Sequence, residues 1–348
     1  METYVRDLAV RQARVASVRV VVSNSMARNE DSVMDAVGIT RVARVATIAS
    51  MPVCPGLSRA INRFPSDLVH LHTPNPGAAF ALVRSEYMGP LVITHHADTI
   101  GRRALRLLSD IYVRRAMDRA AIIIVTSQRY LQTSKELAPY RSKCRVIPLG
   151  IELNESLAKN DVSEGLGGRA DSRIILAIGR LVRYKGFDVL VQAMKGVDGR
   201  LVLIGSGPEE ARLRALIERE GMAAKVEMPG RVADLDPYYK AASVFVLPSV
   251  TRAEAFGIVQ LEAMAAGLPV VNTNIDSGVP EVSVDGETGL TVEPHDVSGL
   301  AHAIQLLLNR QEFREQLGKA ARIKVRTEFT ADRMAERTLN LYRDALGW

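Results

Sequence analysis

The sequence is poor in cysteine, in long apolar runs and in excess charge of either sign. Its 348 residues hold two cysteines, Cys54 and Cys144. That is too few for a disulfide framework, and no Cys-x-x-Cys or Cys/His spacing marks a structural zinc. No apolar run approaches the ~18 residues that span a bilayer, and the opening METYVRDLAVRQARV is charged every few residues, unlike a secretory leader. The expectation is a cytoplasmic chain, neither exported nor membrane-spanning, that can still lie on the inner face of a membrane. Lys and Arg number 45 against 39 Asp and Glu, a net +6. So small an excess suits an anionic substrate or surface but does not argue for nucleic acid. What the chain does have is core-forming material, 47% hydrophobic against 24% charged. This length and composition predict two α/β domains.

Short β-branched runs alternate with amphipathic helical stretches, the pattern of βα units around parallel sheets. Strands are expected at 17–25, 41–48, 68–73, 90–97, 120–127 and 144–150, then at 173–181, 200–207, 225–232, 244–249, 269–274 and 289–294. The polar, Gly-rich stretch 152–172 between the two sets reads as a connection. The expected domains are 1–150 and 151–329, each doubly wound with ligands at the carboxyl ends of its strands. A terminal helix over 330–348 follows, with Leu339, Tyr342, Leu346 and Trp348 suited to docking. Residues 1–150 carry 21 Lys/Arg and 11 Asp/Glu, leaving 24 and 28 beyond. Much of the basic excess lies in 101–120, where Arg102, Arg103, Arg106, Arg114, Arg115 and Arg119 alternate with apolar residues. That stretch reads as a solvated helix face or as one meeting anionic lipid or acceptor.

The most specific segment is SVTRAEAFGIVQLEAMAAGLPVV (249–271). Glu254 lies in the loop after a strand. Phe256-Gly257 opens a helix that Gly267 and Pro269 terminate, and Glu262 lies about a turn and a half inside it. Free N–H groups at that helix start favour a phosphate, while carboxylates there suit sugar hydroxyls. Upstream, Arg180 and Lys185 occupy a strand-to-helix loop where two cations can clamp a diphosphate. In GSGPEE (205–210) the glycines allow close backbone approach, but Glu210 stands where a dinucleotide fingerprint needs its third glycine. Four of the six histidines fall at two strand ends, His70 and His72, then His95 and His96. His70 and His72 share one strand face, and Asp98 is the acidic group nearby, so metal ligation competes with hydrogen-bonded or packed histidines; the latter reading is taken. Asp234 and Asp236 imitate a metal-binding DxD, but their place at a helix start is that of a cap.

Taken together, GRLVRYKG, IGSGPE, PGRV and EAFGIVQLEAMAAGLPVV resemble the group 1 glycosyltransferases, the retaining family numbered four. The resemblance runs from about Ser17 to the C-terminus. It implies a GT-B fold, two Rossmann-like domains facing a cleft, and transfer of a hexose from a UDP- or GDP-sugar to a glycan or polyprenyl-linked hydroxyl. It implies that Arg180 and Lys185 bind the donor diphosphate and that Gly205, Ser206, Gly207 and Pro208 line the donor site. Arg231 and Val232 would meet the nucleobase. Glu254, with Ala255, Phe256, Gly257 and Ile258, would contact sugar and phosphate, and Glu262 would hold the ribose. His96 matches the family's T-x-H histidine near sugar and acceptor, and His72 and Asn75 would border the acceptor side. No metal or other cofactor is implied, and the terminal helix would cross back to the first domain.

The resemblance also marks a departure. Family members begin with an apolar strand and a Gly-rich loop, whereas METYVRDLAVRQ resembles the helix that follows them. The expected consequence is unpaired or rearranged sheet edges, completed by repacking, by an upstream segment or by another copy of the chain. A nucleotide-sugar-binding remnant with little transfer, or a GT-B sugar-nucleotide epimerase, are the alternatives. An NAD-dependent dehydrogenase fits less well, because its glycine fingerprint is incomplete.

Overall fold

Between residues 174 and 292 the apolar runs are three to five residues long, and parallel strands covered on both faces need little else. They form one six-stranded parallel sheet in the order Val226–Gly230, Arg200–Ile204, Ile174–Ile178, Val244–Val246, Val270–Thr273, Gly289–Val292. The order reverses between Ile174–Ile178 and Val244–Val246, which opens a crevice beyond their carboxyl ends. Ile175, Ala177, Leu201, Leu203, Val244, Val246 and Val271 pack one core with the helices Phe187–Ala193, Glu210–Arg219 and Val297–Asn309. Phe245 points to the other face and meets Tyr239 of the helix Asp236–Ala241, with ring centroids 6.4 Å apart.

This computed structural model describes residues 2–48, 51–98, 103–154 and 173–348. It divides into two compact units, Met1–Leu149 with Ala331–Trp348, and Gly150–Thr330. Most of the connection expected at 152–172 lies outside the described residues.

In the first unit, Val69–Thr73, Leu91–His95, Ile122–Val125 and Cys144–Val146 form a parallel sheet in chain order. The helices Glu2–Gln12 and Ala331–Leu346 cover it, Tyr4 and Leu8 packing with Val92, Ile122, Ile124, Ile147, Met334 and Ala335. Arg11 donates to Asp332 at 2.7 Å between the two helices. Tyr342 joins this core, whereas Trp348 is 80% exposed beyond Gly347, so the expectation that it docks is corrected.

The single doubly wound sheet expected for this half is instead in pieces. Residues 19–42 form a separate sheet in the order Arg19–Ser23, Val37–Val42, Glu30–Met34, and Ala46–Ile48 pairs with Met51–Val53. Among the described residues, Arg19–Ser23 and Val69–Thr73 are each paired on one side only, and no strand joins them. No helix among the described residues is long and apolar enough to cross a membrane.

Candidate active site

In the second unit the loops leaving Ile174–Ile178 and Arg200–Ile204 run on side by side. Gly179 N–H donates to the Ile204 carbonyl and Leu181 N–H to that of Ser206, each at 3.0 Å. A Cβ on Gly205 would lie 1.9 Å from the Gly179 oxygen, and one on Gly207 2.4 Å from the Leu181 oxygen. The glycines of Gly205-Ser206-Gly207-Pro208 are thus required by loop-on-loop packing, a job their sequence pattern does not reveal.

The following turn, Arg183–Lys185, ends at Gly186 with φ 66°, and a Cβ there would lie 2.0 Å from the Pro248 oxygen. The turn aims Lys185 inward. Its Nζ lies 2.5 Å from Glu254 Oε2, and the two side chains are 10% and 11% exposed. Ser249 donates to the same carboxylate oxygen at 3.3 Å, and Val250 N–H donates to the Tyr184 carbonyl at 2.8 Å. Two nearly buried charges therefore neutralise each other where the strand order reverses. Arg180 is exposed on the same loop. Tyr184 lies within reach of both signs: burial and Glu254 raise its phenol while Arg180 opposes them.

Gly257, with φ 72°, starts the helix Ile258–Ala265, and a Cβ there would lie 2.6 Å from Leu247. Phe256 is buried against Phe329, with ring centroids 6.1 Å apart, so it offers a ligand backbone rather than ring. The Ala255 carbonyl accepts from Gly278 N–H, and Ile258 is exposed. Inside the helix, Glu262 accepts from the Tyr239 hydroxyl at 2.7 Å, and burial raises its carboxyl above the usual range. Arg231 is exposed and Val232 half-buried after Val226–Gly230. Asp234 accepts the Asp236 N–H at 3.1 Å, while Leu235 holds the cap position, so Asp236 belongs to the helix's first turn.

In the first unit the histidines separate into two groups. His70 and His72 share a strand face with ring centroids 4.3 Å apart, and His72 Nδ1 lies 3.2 Å from His96 Nε2. Tyr4 meets both His72 and His96 edge-on. Gln12 donates to the Tyr342 hydroxyl at 3.0 Å, which leaves the phenol proton for His70 Nδ1 at 2.5 Å. His70 therefore carries its own proton on Nε2, 2.7 Å from Thr94 Oγ1. Burial pulls His72 down to about 4 and His96 to about 3, His72 adding to the effect on His96; burial holds His70 well below the ordinary range. All three are neutral at pH 7 and resist taking up a proton there. His95 turns the opposite way, with Nδ1 3.0 Å from Thr73 Oγ1 and Nε2 3.3 Å from Asp98. Asp98 thus belongs with His95, not with the His70–His72 pair. Asn75 caps the helix Pro76–Val83, its side chain accepting from Ala78 N–H.

Sequence reasoning passed over Tyr4, Gln12, Thr94 and Tyr239 at these sites. Their partners lie up to 330 residues away, as for Gln12 and Tyr342, and no local spacing signals them.

A Rossmann-ordered parallel sheet with paired charges at its switch point, together with a second parallel-sheet unit in the same chain, is the composition of a GT-B fold. The family model described as glycosyl transferases group 1 matches residues 159–324, and that described as glycosyltransferase family 4 matches residues 1–155. The chain is 32% identical to D-rhamnosyltransferase WbpZ of Pseudomonas aeruginosa over 76% of its own length and 70% of that protein's. It is 27% identical to the O-antigen chain mannosyltransferase C of Escherichia coli, over 83% and 79%. Its fold matches sucrose-phosphate synthase of Thermosynechococcus elongatus with a TM-score of 0.80 at 24% identity, covering 99% and 93% of the two chains. The chain belongs to the group 1, family 4 glycosyltransferases and is a sugar-transferring enzyme.

Proposed function

We propose that the protein transfers a hexose from a nucleoside diphosphate sugar to a hydroxyl of a glycan or polyprenyl-linked acceptor, with retention at the anomeric carbon. The observation that carries this is the Lys185–Glu254 pair, 2.5 Å apart and nearly buried at the switch point of the second unit. A buried pair of this kind is weak as a stabilising device, because desolvation offsets the attraction. It makes sense as a site held neutral until a ligand arrives. A diphosphate takes Lys185 as its counterion, with Arg180 as a second cation. Glu254 then turns to the hexose hydroxyls, where a carboxylate accepts hydrogen bonds without facing phosphate. Glu262 serves the ribose hydroxyls, and the backbone of Ala255, Phe256, Gly257 and Ile258 supplies helix-start N–H groups to the phosphate.

As the glycosidic bond breaks, negative charge grows on the leaving diphosphate, which Lys185, Arg180 and the helix start stabilise most. The leaving phosphate accepts the acceptor hydroxyl's proton on the same face, so no enzyme nucleophile and no metal is needed. His96 and His72, neutral in the first unit, serve the acceptor side. The O-antigen and rhamnosyl relatives support a polysaccharide product. Membrane contact through 101–120 rests on exposed Ile111, Arg114 and Arg115; Arg119 instead donates to the Tyr87 carbonyl, and the side chains of 102, 103 and 106 lie outside the described residues. Self-association through the unpaired edges of Arg19–Ser23 and Val69–Thr73 is read by sedimentation.

A thermal-shift panel of UDP-, GDP- and ADP-sugars, followed by product analysis with the best donor, tests the reading. Transfer unchanged in both Lys185→Ala and Glu254→Ala would refute the site.

A further inference from the structure

We infer that Tyr342, on the helix Ala331–Leu346, is a positioning residue for the His72–His96 pair and acts on it through His70. The inference rests on the reading that this pair serves the acceptor. The three imidazoles are in successive contact. The rings of His70 and His72 are 4.3 Å apart and inclined by 34°, and those of His72 and His96 are 5.5 Å apart and inclined by 27°. The Tyr4 ring meets the last two edge-on, at 5.6 and 5.1 Å. His72 is therefore oriented by Tyr4 and by two imidazoles, one of which is itself pinned at both nitrogens. Thr94, the register partner of His72 on the neighbouring strand, holds His70 Nε2 at 2.7 Å. Tyr342, 272 residues along the chain, holds His70 Nδ1 at 2.5 Å.

Between two neutral rings, the 3.2 Å contact from His72 Nδ1 to His96 Nε2 carries one proton. Whichever ring donates it, the remaining nitrogens, His72 Nε2 and His96 Nδ1, are left as one donor and one acceptor. A sugar hydroxyl both donates and accepts, so it matches the pair in either tautomer. What such a pair needs is fixed geometry, because displacing a substrate-holding group by an ångström is costly. Tyr342 supplies part of it. Burial raises its phenol, which keeps the proton on the oxygen, and Gln12 donates to that oxygen at 3.0 Å and so leaves the proton for His70. Without the phenol, His70 Nδ1 becomes a desolvated acceptor with no donor. The ring then relaxes by turning about its Cβ–Cγ bond or by moving its proton, and its face no longer lies as it did against His72.

Tyr342→Phe keeps the ring's packing and removes only the hydroxyl. Imidazole 15N shifts of the full-length chain, assigned with His70→Gln, His72→Gln and His96→Gln, read the histidines one by one. The variant should move the signals of His72 and His96 as well as those of His70. With the best donor it should raise the acceptor KM about 3- to 10-fold, the equivalent of one hydrogen bond, while kcat and calorimetric donor affinity stay within about twofold. Arg11→Ala is the control, because it breaks the 2.7 Å contact to Asp332, which joins the same two helices and involves no histidine. It should leave the His72 and His96 signals and the acceptor KM in place. An unmoved His72–His96 pair or an unchanged acceptor KM in Tyr342→Phe, or equal effects from Arg11→Ala, would overturn the proposal. Transfer unchanged in both His72→Ala and His96→Ala would instead remove the acceptor-side reading beneath it, on which the 15N comparison does not depend.

Discussion

Replacing Lys185 by methionine removes one charge from a pair 2.5 Å apart whose side chains are 10% and 11% exposed. Glu254 keeps the Ser249 hydroxyl at 3.3 Å but loses its countercharge. Breaking a buried pair from one side costs about 3–5 kcal/mol, since the survivor is left desolvated and uncompensated. With Ser249 still donating, the lower end of about 3 kcal/mol is expected, or ~6–12 °C in the melting of a unit of this size. The double variant Lys185→Met with Glu254→Gln removes both charges and should recover most of that loss. It should not recover transfer, which loses the group proposed to stabilise the leaving diphosphate and should fall about 100-fold or more. Calorimetric melts and a transfer assay on the same preparations read both quantities. A single variant that melts like the unaltered chain would refute the energetic reasoning, and a double variant that regains transfer would refute the functional one.

Tyr239→Phe strips the hydroxyl from Glu262 and should cost about 1–3 kcal/mol in the ligand-free protein, measured by denaturant unfolding. The loss should shrink when a saturating nucleoside diphosphate offers ribose hydroxyls in its place. His72 is held down to about 4 in the folded chain, chiefly by burial, so the unfolded chain takes a proton below about 6.5 that the folded one refuses. Stability should therefore be full above about pH 6.5 and fall, by up to about 3 kcal/mol from His72 alone, as pH drops toward 4, with His70 and His96 acting in the same direction. Melts at pH 7 and pH 5 should differ less for His72→Gln than for the unaltered chain; equal differences would remove His72 from the account. Gly186→Ala meets both a φ of 66° and a carbonyl oxygen 2.0 Å from its new Cβ. It should lose about 2 kcal/mol or more and take donor binding with it, checked by melting and donor titration.

Most of the parallel strands were legible because they are short β-branched runs ending in polar or small residues, and the expected ranges contain or overlap every parallel strand among the described residues. Two strands escaped. Glu30–Met34 reads EDSVM and lies at a sheet edge, where charge is tolerated and no apolar alternation is needed. The turn that pairs it, Asp35-Ala36, has φ 51° and 64° at both central residues without the glycine that normally announces such a turn. Met51–Val53 carries a proline and is three residues long. At the site, Lys185 and Glu254 were found separately, from a basic βα loop and an acidic one. That they pair directly follows from the reversal in strand order, which no local pattern expresses. The glycines of 205–208 were read as making room for a ligand, whereas the neighbouring loop fills that room. The histidine cluster was visible as four residues at two strand ends, but the division that sends His95 to Asp98 and His96 to His72 needed the register of the two strands.

The central claim is that the second unit binds a nucleoside diphosphate sugar and that the enzyme transfers the sugar with retention. The direct measurement follows a 13C-labelled hexose from its best-bound donor into product by NMR, with glycan and polyprenyl acceptors, for the unaltered chain and for Lys185→Ala. The account predicts a new glycosidic carbon with the donor's anomeric configuration in the first case and none above background in the second. A donor that binds yet stays intact across the acceptors, or a product of inverted configuration, would contradict it.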